Sequence, residues 1–353
     1  MEKFRDKIFN EEVFERYVKT LPSTKENSLI KNGLFTNVNE YKSKMNEQSG
    51  GYAVTEPIKG RIGGDPVNYD GNTNIPKGSE RDTFFQRKIC YGRAKAFGEY
   101  DFASDITGAN FMAEAQEVKD YWDEERQKTV LSILKGIFSM TGGVDGAFVT
   151  KHTYDISGEQ TANTLTADAL NRAAQKALGD KKAKLDVIFM HSAVSTNLEG
   201  LNLIDFLKYT DANGIERDLT IGTFNGRLVI VDDDMPTTEV DESAEGAGDG
   251  YIAYTSYVFQ KGFFEYENIG ATKPSELARD PYDKGGKTDL ITRVREMVVP
   301  KYISYKGTGT VSPTNSNFET GSNWELANND KTGNNKVYVD DKLIPVARVI
   351  SRG

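Results

Sequence analysis

The feature of this sequence that most constrains its fold is one long helical pattern between Asn110 and Met140. Phe111, Ala115, Val118 and Trp122 step by four, three and four residues, and further apolar residues continue the stripe. At about 1.5 Å per residue, a helix over this stretch would reach roughly 45 Å. Such a length is unusual inside an enzyme core, so the pattern predicts a rigid spine.

The composition narrows the classes of function. Of 353 residues, 44 are basic and 53 are acidic, so the net charge is -9 and no basic excess marks a dedicated nucleic-acid binder. Cys90 is the single cysteine, which excludes an intrachain disulfide and makes a cysteine-based zinc site unexpected. His152 and His191 are the only histidines, which weakens every metal or acid–base hypothesis. With no apolar run of about 18 residues and no signal-peptide core, we expect a soluble chain made in the cytoplasm.

The chain before the helix predicts an arm and a long loop. Residues 3–19 have amphipathic spacing, and the polar chain that follows to residue 50 is expected to be ordered only where another surface holds it. A strand around Pro57, a turn-rich tip (GGDPVNYDGNTNIPKGSE) and a return strand (DTFFQRKICYGRAKAF) then predict a protruding two-stranded loop. Because isolated hairpins are marginally stable in water, we expect this loop to lie on another surface.

The return limb of this loop is locally basic in an otherwise acidic protein. These charges could simply be solvated strand faces, or they could dock on an acidic neighbour, and the sequence leaves both interpretations open. The candidate contact residues are Arg81, Arg87, Lys88, Arg93 and Lys95.

Beyond the long helix the pattern becomes α/β. A compact helix is predicted over 166–178, with Thr166 as its N-cap and Gly179 at its end. A second helix, or a pair of helical turns, is predicted over 192–207 with an interruption at Gly200 and with Ser192 as its cap.

Strands are predicted on both sides of these helices. LDVIFM at 185–190 has the character of a buried strand, and Asn225–Gly226 is the signal for a tight hairpin turn. Later, TDLITRVREMVV and KYISYKG are expected to form a β-rich pair, and the polar tail ends in the apolar stretch KLIPVARVI.

Three short motifs imitate catalytic sites, and each lacks a required part. Gly286-Lys287-Thr288 matches the end of a phosphate loop, but Pro281 stands where the first glycine is needed. EGAGDG at 245–250 precedes a predicted strand instead of opening a helix. His191–Ser192 has no nucleophile elbow around it. Turns and a helix cap explain all three.

The stretch TFNGRLVIVDDDMP ends an apolar run on three consecutive aspartates. Consecutive side chains of an extended chain point to alternate sides, so these acids cannot all bind one ion without a sharp turn. A solvated or partner-facing acidic loop is the favoured interpretation, and a metal-binding loop is the alternative. The candidate contact residues here are Asp232, Asp233, Asp234, Glu239, Asp241 and Glu242.

The order of these segments resembles the major capsid protein of tailed bacteriophages. The most specific stretch is Gly285 to Gly307, GGKTDLITRVREMVVPKYISYKG, which is similar to the closing segment of that family. Pro300 departs from the family pattern, because no glycine follows its bend at once. Asn323–Trp324 and Ile344–Pro345 stand where related capsid proteins have an Asn-Trp pair and an Ile-Pro pair, and GRLVIVDDDMP is similar to a family strand and turn.

The resemblance implies an α+β chain with the HK97-like capsid fold. Its parts would be an N-terminal arm, an extended β-hairpin E-loop, a long spine helix, a peripheral domain and an α/β axial domain. The corresponding segments are 1–50 for the arm, 51–102 for the E-loop, 103–150 for the spine helix with part of the peripheral domain, 151–284 for the axial domain, and 285–353 for the peripheral β return and C-terminal tail.

The resemblance also implies a structural function without catalytic residues, metal or cofactor. The chain would assemble as hexamers and pentamers into an icosahedral or prolate shell around double-stranded DNA, which it contacts non-specifically. Expected partners are a separate scaffolding protein, a portal and decoration proteins, with no membrane. The expected location is the virion, after assembly in the host bacterial cytoplasm. The alternatives are an encapsulin-like nanocompartment shell and, more weakly, a metal-dependent enzyme using residues 232–234.

Overall fold

A computed structural model describes residues 35–47, 52–60, 65–74, 82–101, 115–210, 216–241 and 250–353. Within them the fold is α+β, as predicted, with one long helix, two large sheets and two small ones. The predictions for residues 3–19, for the helix start at 110–114, and for Arg81 and Glu242 fall outside the described residues.

The elements are numbered in chain order over the described residues. The strands are β1 (Phe35–Asn37), β2 (Ala53–Lys59), β3 (Thr83–Ile89), β4 (Tyr91–Tyr100), β5 (Thr153–Asp155), β6 (Val187–Met190), β7 (Ile204–Thr210), β8 (Glu216–Phe224), β9 (Arg227–Val231), β10 (Thr237–Val240), β11 (Tyr251–Phe259), β12 (Phe264–Asn268), β13 (Ser275–Asp280), β14 (Lys287–Pro300), β15 (Ile303–Tyr305), β16 (Trp324–Leu326) and β17 (Val346–Arg352). The helices are α1 (Tyr41–Glu47), α2 (Ala115–Ile137), α3 (Gly143–Lys151), α4 (Ala167–Leu178), α5 (Ser192–Gly200) and α6 (Asn315–Glu319).

The long helix α2 contains 23 residues and is therefore roughly 35 Å long. The predicted apolar stripe is confirmed, since Val130, Ile133 and Leu134 are completely buried in a core shared with both large sheets. The helix ends before the predicted Met140, because tight turns follow Ile137 and the backbone then passes through positive φ at two successive glycines, after which α3 starts.

The five-stranded sheet is built around β14. Strand β4 runs antiparallel along one edge of β14, from Lys287 opposite Tyr100 to Glu296 opposite Tyr91. The other edge of β14 pairs first with β13 and then with β12, and β1 adds to β12 in parallel. The second half of the predicted protruding loop is thus part of a sheet. The expected pairing of the two late strands is wrong, because β15 pairs with β16 instead of with β14.

The eight-stranded sheet has the order β5-β17-β11-β6-β9-β8-β7, and β10 adds to β11. Helices α4 and α5 bury their apolar faces in a core with this sheet. The Asn225–Gly226 hairpin is confirmed, because both residues have positive φ and join β8 to β9.

The two predicted helices of this region have different outcomes. The start and end of α4 are confirmed: the Thr166 hydroxyl accepts a hydrogen bond from the backbone N–H of Ala169, and Gly179 ends the helix at φ 60°. The second helix ends at Gly200, where the interruption was predicted. The helical turns expected beyond it to residue 207 are wrong, because β7 begins four residues later. The cap of this helix is His191, whose Nδ1 accepts from the N–H of Ala193, and not Ser192.

The strand β17 lies inside the eight-stranded sheet, where it pairs antiparallel with β11 and in parallel with β5. The predicted division at residue 285 therefore separates two strands that the structure pairs. A backbone pairing across about 90 residues leaves no local signal in the sequence. No helix among the described residues is both long and apolar enough to cross a bilayer.

Candidate assembly surfaces

The hairpin formed by β2 and β3 is the first candidate surface. Its strands pair from Ala53 opposite Ile89 to Lys59 opposite Thr83, which confirms the predicted two-stranded pairing. Side chains toward its far end, including Pro57, Lys59 and Thr83, are exposed. Phe85 is 37% exposed, so the hairpin also presents an apolar side chain to solvent.

At the base of the hairpin, one face of β3 is polar and buried. Alternate residues of a strand share a face, which places Gln86 and Lys88 on the same side, and they are only 3% and 2% exposed. The Gln86 Nε2 amide donates hydrogen bonds to the carbonyl oxygens of Pro300 at 2.8 Å and Ile303 at 3.0 Å.

The ammonium group of Lys88 is held by acidic and phenolic groups of the same chain. Its Nζ lies 2.5 Å from Glu56 Oε2 and 2.6 Å from Glu265 Oε2, and it also donates to the Tyr41 hydroxyl. Burial opposes ionisation of Glu56, but the hydrogen bonds from Lys88 and Tyr41, together with the nearby positive charges, outweigh burial and lower the pKa of Glu56. Burial, followed by the hydrogen bond to Glu56, raises the pKa of Tyr41.

Lys88 therefore differs from the other basic residues that the sequence singled out. Its charge is used inside the chain, so this side chain is not exposed for a contact between subunits. The alternation of β3 explains the difference, because Arg87 and Lys88 point to opposite faces of the strand.

Three further basic candidates lie within the described residues. The Arg93 guanidinium donates to Asn315 Oδ1 at 3.0 Å and lies 5.0 Å from the centre of the Tyr91 ring, and burial lowers its pKa. Lys95 is exposed, and Arg87 is half-buried. Among the described residues, Arg87, Arg93 and Lys95 form no ion pair with a carboxylate.

The consecutive aspartates follow β9 and do not converge on one point. Asp232 accepts hydrogen bonds from Gln127 Nε2 and from the N–H of Asp234, and burial raises its pKa. A hydrogen bond from Ser192 and the nearby His191 ring lower the pKa of the exposed Asp233. Among the described residues, no three His, Cys, Asp or Glu side chains come close enough together to hold a metal ion.

The remaining acidic candidates within the described residues lie a few positions farther along the chain. Glu239 is on β10 opposite Ile252, and Asp241 follows that strand; both are exposed. Together with Asp233 and Asp234 they form an exposed acidic stretch. The stretch is not a loop throughout as predicted, because Thr237–Val240 form β10. Its contact with a partner stays a prediction.

A second buried charge cluster was missed by the sequence analysis. The Arg126 guanidinium of α2 contacts the Glu296 carboxylate of β14 through Nη2–Oε1 at 2.6 Å and Nε–Oε2 at 3.1 Å. Asp123 lies 2.7 Å from Arg126 Nη1, and the Tyr266 hydroxyl donates to Glu296 at 2.9 Å. The cluster fixes the long helix to the five-stranded sheet. A glutamate inside the apolar run REMVVP was the one signal that could have indicated it.

These geometries are structural in kind: the described clusters tie elements together, and the exposed charges lie on strands β4 and β10 and in the segments that follow β9 and β10. Comparison with solved structures agrees. The fold matches the cyanophage Pam1 capsid asymmetric unit with a TM-score of 0.56 at 11% identity, covering 94% of this chain and 93% of that chain. It matches the capsid of Ralstonia phage GP4 with a TM-score of 0.50 at 11% identity, covering 76% and 83%. The chain has the HK97-like capsid fold.

A curated relative gives the more particular assignment. The major capsid protein of Bacillus phage SPP1 is 27% identical over 315 residues, which cover 88% of this chain and 89% of the relative. No family model matches the sequence. The predicted resemblance to the major capsid protein of tailed bacteriophages is confirmed, and the chain has a structural role in a capsid shell. Neither the nanocompartment nor the metal-enzyme alternative finds support.

Proposed function

We propose that this chain is the repeating subunit of an icosahedral or prolate phage shell and assembles as hexamers and pentamers around double-stranded DNA. The observation that carries the proposal is a capsid fold with a hairpin whose base is fastened to its own subunit and whose far end is exposed. Because a two-stranded hairpin is marginally stable alone, it gains stability by lying on a neighbouring copy.

The charge distribution supports a specific pairing of surfaces. The cation Arg87 lies on β3 of the hairpin, and Arg93 and Lys95 lie on β4, the strand that follows it. The acidic stretch of Asp233, Asp234, Glu239 and Asp241 would face them from a neighbouring copy. Such rim pairs contribute modestly to affinity and mainly fix orientation.

The wider partners follow from the same proposal. A net charge of -9 suits a wall that contains DNA without binding it tightly, since tight DNA binding needs clustered cations. A separate scaffolding protein, a portal and decoration proteins complete the virion, and assembly takes place in the host bacterial cytoplasm. Efficient uniform closed shells from this chain alone would count against the scaffolding partner.

The test is electron microscopy of the purified chain and of a shortened hairpin variant. In that variant an Asn-Gly turn replaces residues 60–82, because Lys59 and Thr83 are the last paired positions and a two-residue turn can join them. We expect polyhedral particles, or hexamers and pentamers, from the wild type. The variant should remain folded by circular dichroism but stay as single subunits.

Two results would contradict the proposal. One is a wild-type chain that stays monomeric at every concentration tested. The other is a shortened variant that forms the same particles as the wild type, since the hairpin would then make no contact on which assembly depends.

A further inference from the structure

The hairpin is seated on its subunit by polar groups next to apolar ones, since Val54 of β2 and Ile89 of β3 are buried in hydrophobic clusters. Gln86 and Lys88 are the polar side chains of β3 that are almost completely buried. Both N–H groups of the Gln86 amide have acceptors, the carbonyl oxygens of Pro300 and Ile303. We call Gln86, Lys88 and the groups that accept their hydrogen bonds the polar seat.

Lys88 joins three separate elements within this seat. An ammonium group has three donors, and here three acceptors meet it: Glu56 on β2, Glu265 on β12 and the Tyr41 hydroxyl at the start of α1. Its charge also lies 4.7 Å from the centre of the Tyr41 ring. One partner belongs to the hairpin and two belong to the body of the subunit, so the ammonium group links the hairpin to that body.

A polar seat restricts movement more than an apolar one of equal area. Hydrophobic contact is non-directional and tolerates sliding. Charge-assisted hydrogen bonds need defined distances and angles, and a buried ion that loses its partner is strongly destabilising. Thr83 lies five residues beyond Lys88, about 16 Å along the strand, so a rocking of about 10° would move it by about 3 Å. The same rocking about Lys88 would move Gln86, about 7 Å along the strand, by about 1 Å, which takes its two amide hydrogen bonds out of the normal range of length.

We propose that the polar seat fixes the angle at which the hairpin leaves the subunit, and thereby sets how neighbouring copies are tilted against one another. Lys88 is the positioning residue of this device, and Gln86 supports it. The effect on neighbouring copies rests on the shell function proposed above, whereas the effect on the hairpin does not.

Two backbone amides report directly on the seat. The N–H of Phe85 donates to the Asn328 carbonyl at 2.7 Å, and the N–H of Arg87 donates to Ser304 Oγ at 3.2 Å, so both bonds leave the hairpin. The N–H of Cys90 donates to the Tyr52 carbonyl, and this bond joins the segment that enters the hairpin to the segment that leaves it. Release of the seat should expose the first two amides while the hairpin itself stays paired.

The experiment is residue-resolved hydrogen exchange on the unassembled subunit of wild type, Lys88→Met, Gln86→Leu and Lys59→Met. The last is the matched control, since it removes the same charge from an exposed position of the same hairpin. We expect Lys88→Met and Gln86→Leu to accelerate exchange at Phe85 and Arg87 by at least about tenfold relative to Cys90, with α2 unchanged. Lys59→Met should exchange like the wild type. If Lys88→Met does not fold, Glu265→Gln should give the same pattern at smaller amplitude.

Suppose that Lys88→Met and Gln86→Leu fold and that Phe85 and Arg87 still exchange at the wild-type rate. This result would overturn the proposal that the polar seat holds the hairpin, whatever the chain assembles into. The second readout is particle diameter by electron microscopy, where Lys88→Met should broaden the distribution and Lys59→Met should not. An unchanged diameter distribution, despite faster exchange, would overturn the link to the tilt of neighbouring copies. If the variants loosen the hairpin but the chain never assembles, the role of the polar seat is supported and the proposed shell function is contradicted.

Discussion

Arg126 is a single residue on which the attachment of the long helix depends. Its side chain is 11% exposed, and that of its partner Glu296 is 3% exposed. Burial favours loss of the proton, but the Glu296 carboxylate outweighs burial and raises the pKa of Arg126. Both groups therefore remain charged inside the fold, and each of them depends on the other.

We expect Arg126→Met to lower the free energy of unfolding by about 3 to 5 kcal/mol, because it leaves Glu296 buried without its main partner. Urea denaturation followed by circular dichroism measures the loss. Lys128→Met is the matched control on the same helix: it breaks an exposed pair with Glu125 at 2.9 Å and should cost less than about 1 kcal/mol. Equal losses in the two variants would show that the buried cluster has no special role.

For single residues, the sequence shows where the basic side chains occur along the chain. It does not show which of them form ion pairs inside the subunit. Lysine is almost never fully buried, so the sequence favours an exposed Lys88. Its partner Glu265 lies 177 residues away along the chain, and nothing local indicates that the two meet. Arg126 and Glu296, 170 residues apart, were missed for the same reason.

Among the elements, α2 and the tail approach each other through two glycines. A Cβ on Gly136 would lie 1.8 Å from the Phe318 carbonyl oxygen and 2.5 Å from Trp324 Nε1. A Cβ on Gly321 would lie 1.9 Å from the Ser139 carbonyl oxygen. The close approach lets the Trp324 indole donate to the Phe318 carbonyl at 2.7 Å, which closes the tail against the helix.

Gly136→Ala should therefore destabilise the protein, although alanine is the better helix former. We expect a loss of about 1 to 3 kcal/mol from the forced shift of the tail backbone, measured by thermal unfolding. Gly200→Ala, at the end of α5 with open space around the added carbon, should be neutral or stabilising by up to about 1 kcal/mol. A stabilised Gly136→Ala would mean that the tail does not press on the helix.

Elements with a local signal were predicted, and elements defined by distant pairing were not. The Thr166 cap and the Asn225–Gly226 turn depend on a few neighbouring residues, so their chemistry is visible in the sequence. The break at Gly200 was predicted, but residues 204–207 were assigned to a helix because a short apolar stretch suits helix and strand alike. The partners of β14 come from segments far apart, and the sequence offered no basis for choosing β4 over β15.

For the whole molecule, the position of β17 has a measurable effect. This strand lies between β5 and β11, and Val346, Ala347 and Val349 are at most 1% exposed. A chain that ends at Pro345 would leave two interior strand edges and an apolar core open.

We expect such a chain to aggregate or to lose cooperative unfolding, as measured by solubility and circular dichroism. The shortened hairpin variant, which removes more residues, should stay soluble and folded. A soluble, cooperatively folding chain without residues 346–353 would contradict the importance of this strand.

The order of segments was enough to predict the capsid fold and the structural role, because it reflects the whole chain at once. The assembly surfaces were predicted less completely. Lys95 and the acidic stretch are exposed, and their contacts with other subunits stay a prediction, whereas burial assigns Lys88 to the subunit itself. The pairing between these surfaces depends on a second copy, which one chain's sequence does not describe.

The place of β17 also bears on the timing of synthesis. The eight-stranded sheet cannot be completed until residue 352 has left the ribosome, although its first described strand, β5, is made about 200 residues earlier. During that interval a nascent chain lacks a finished surface to offer to another copy. We therefore expect chains interrupted before residue 346 to be excluded from assembly, because their sheet stays incomplete.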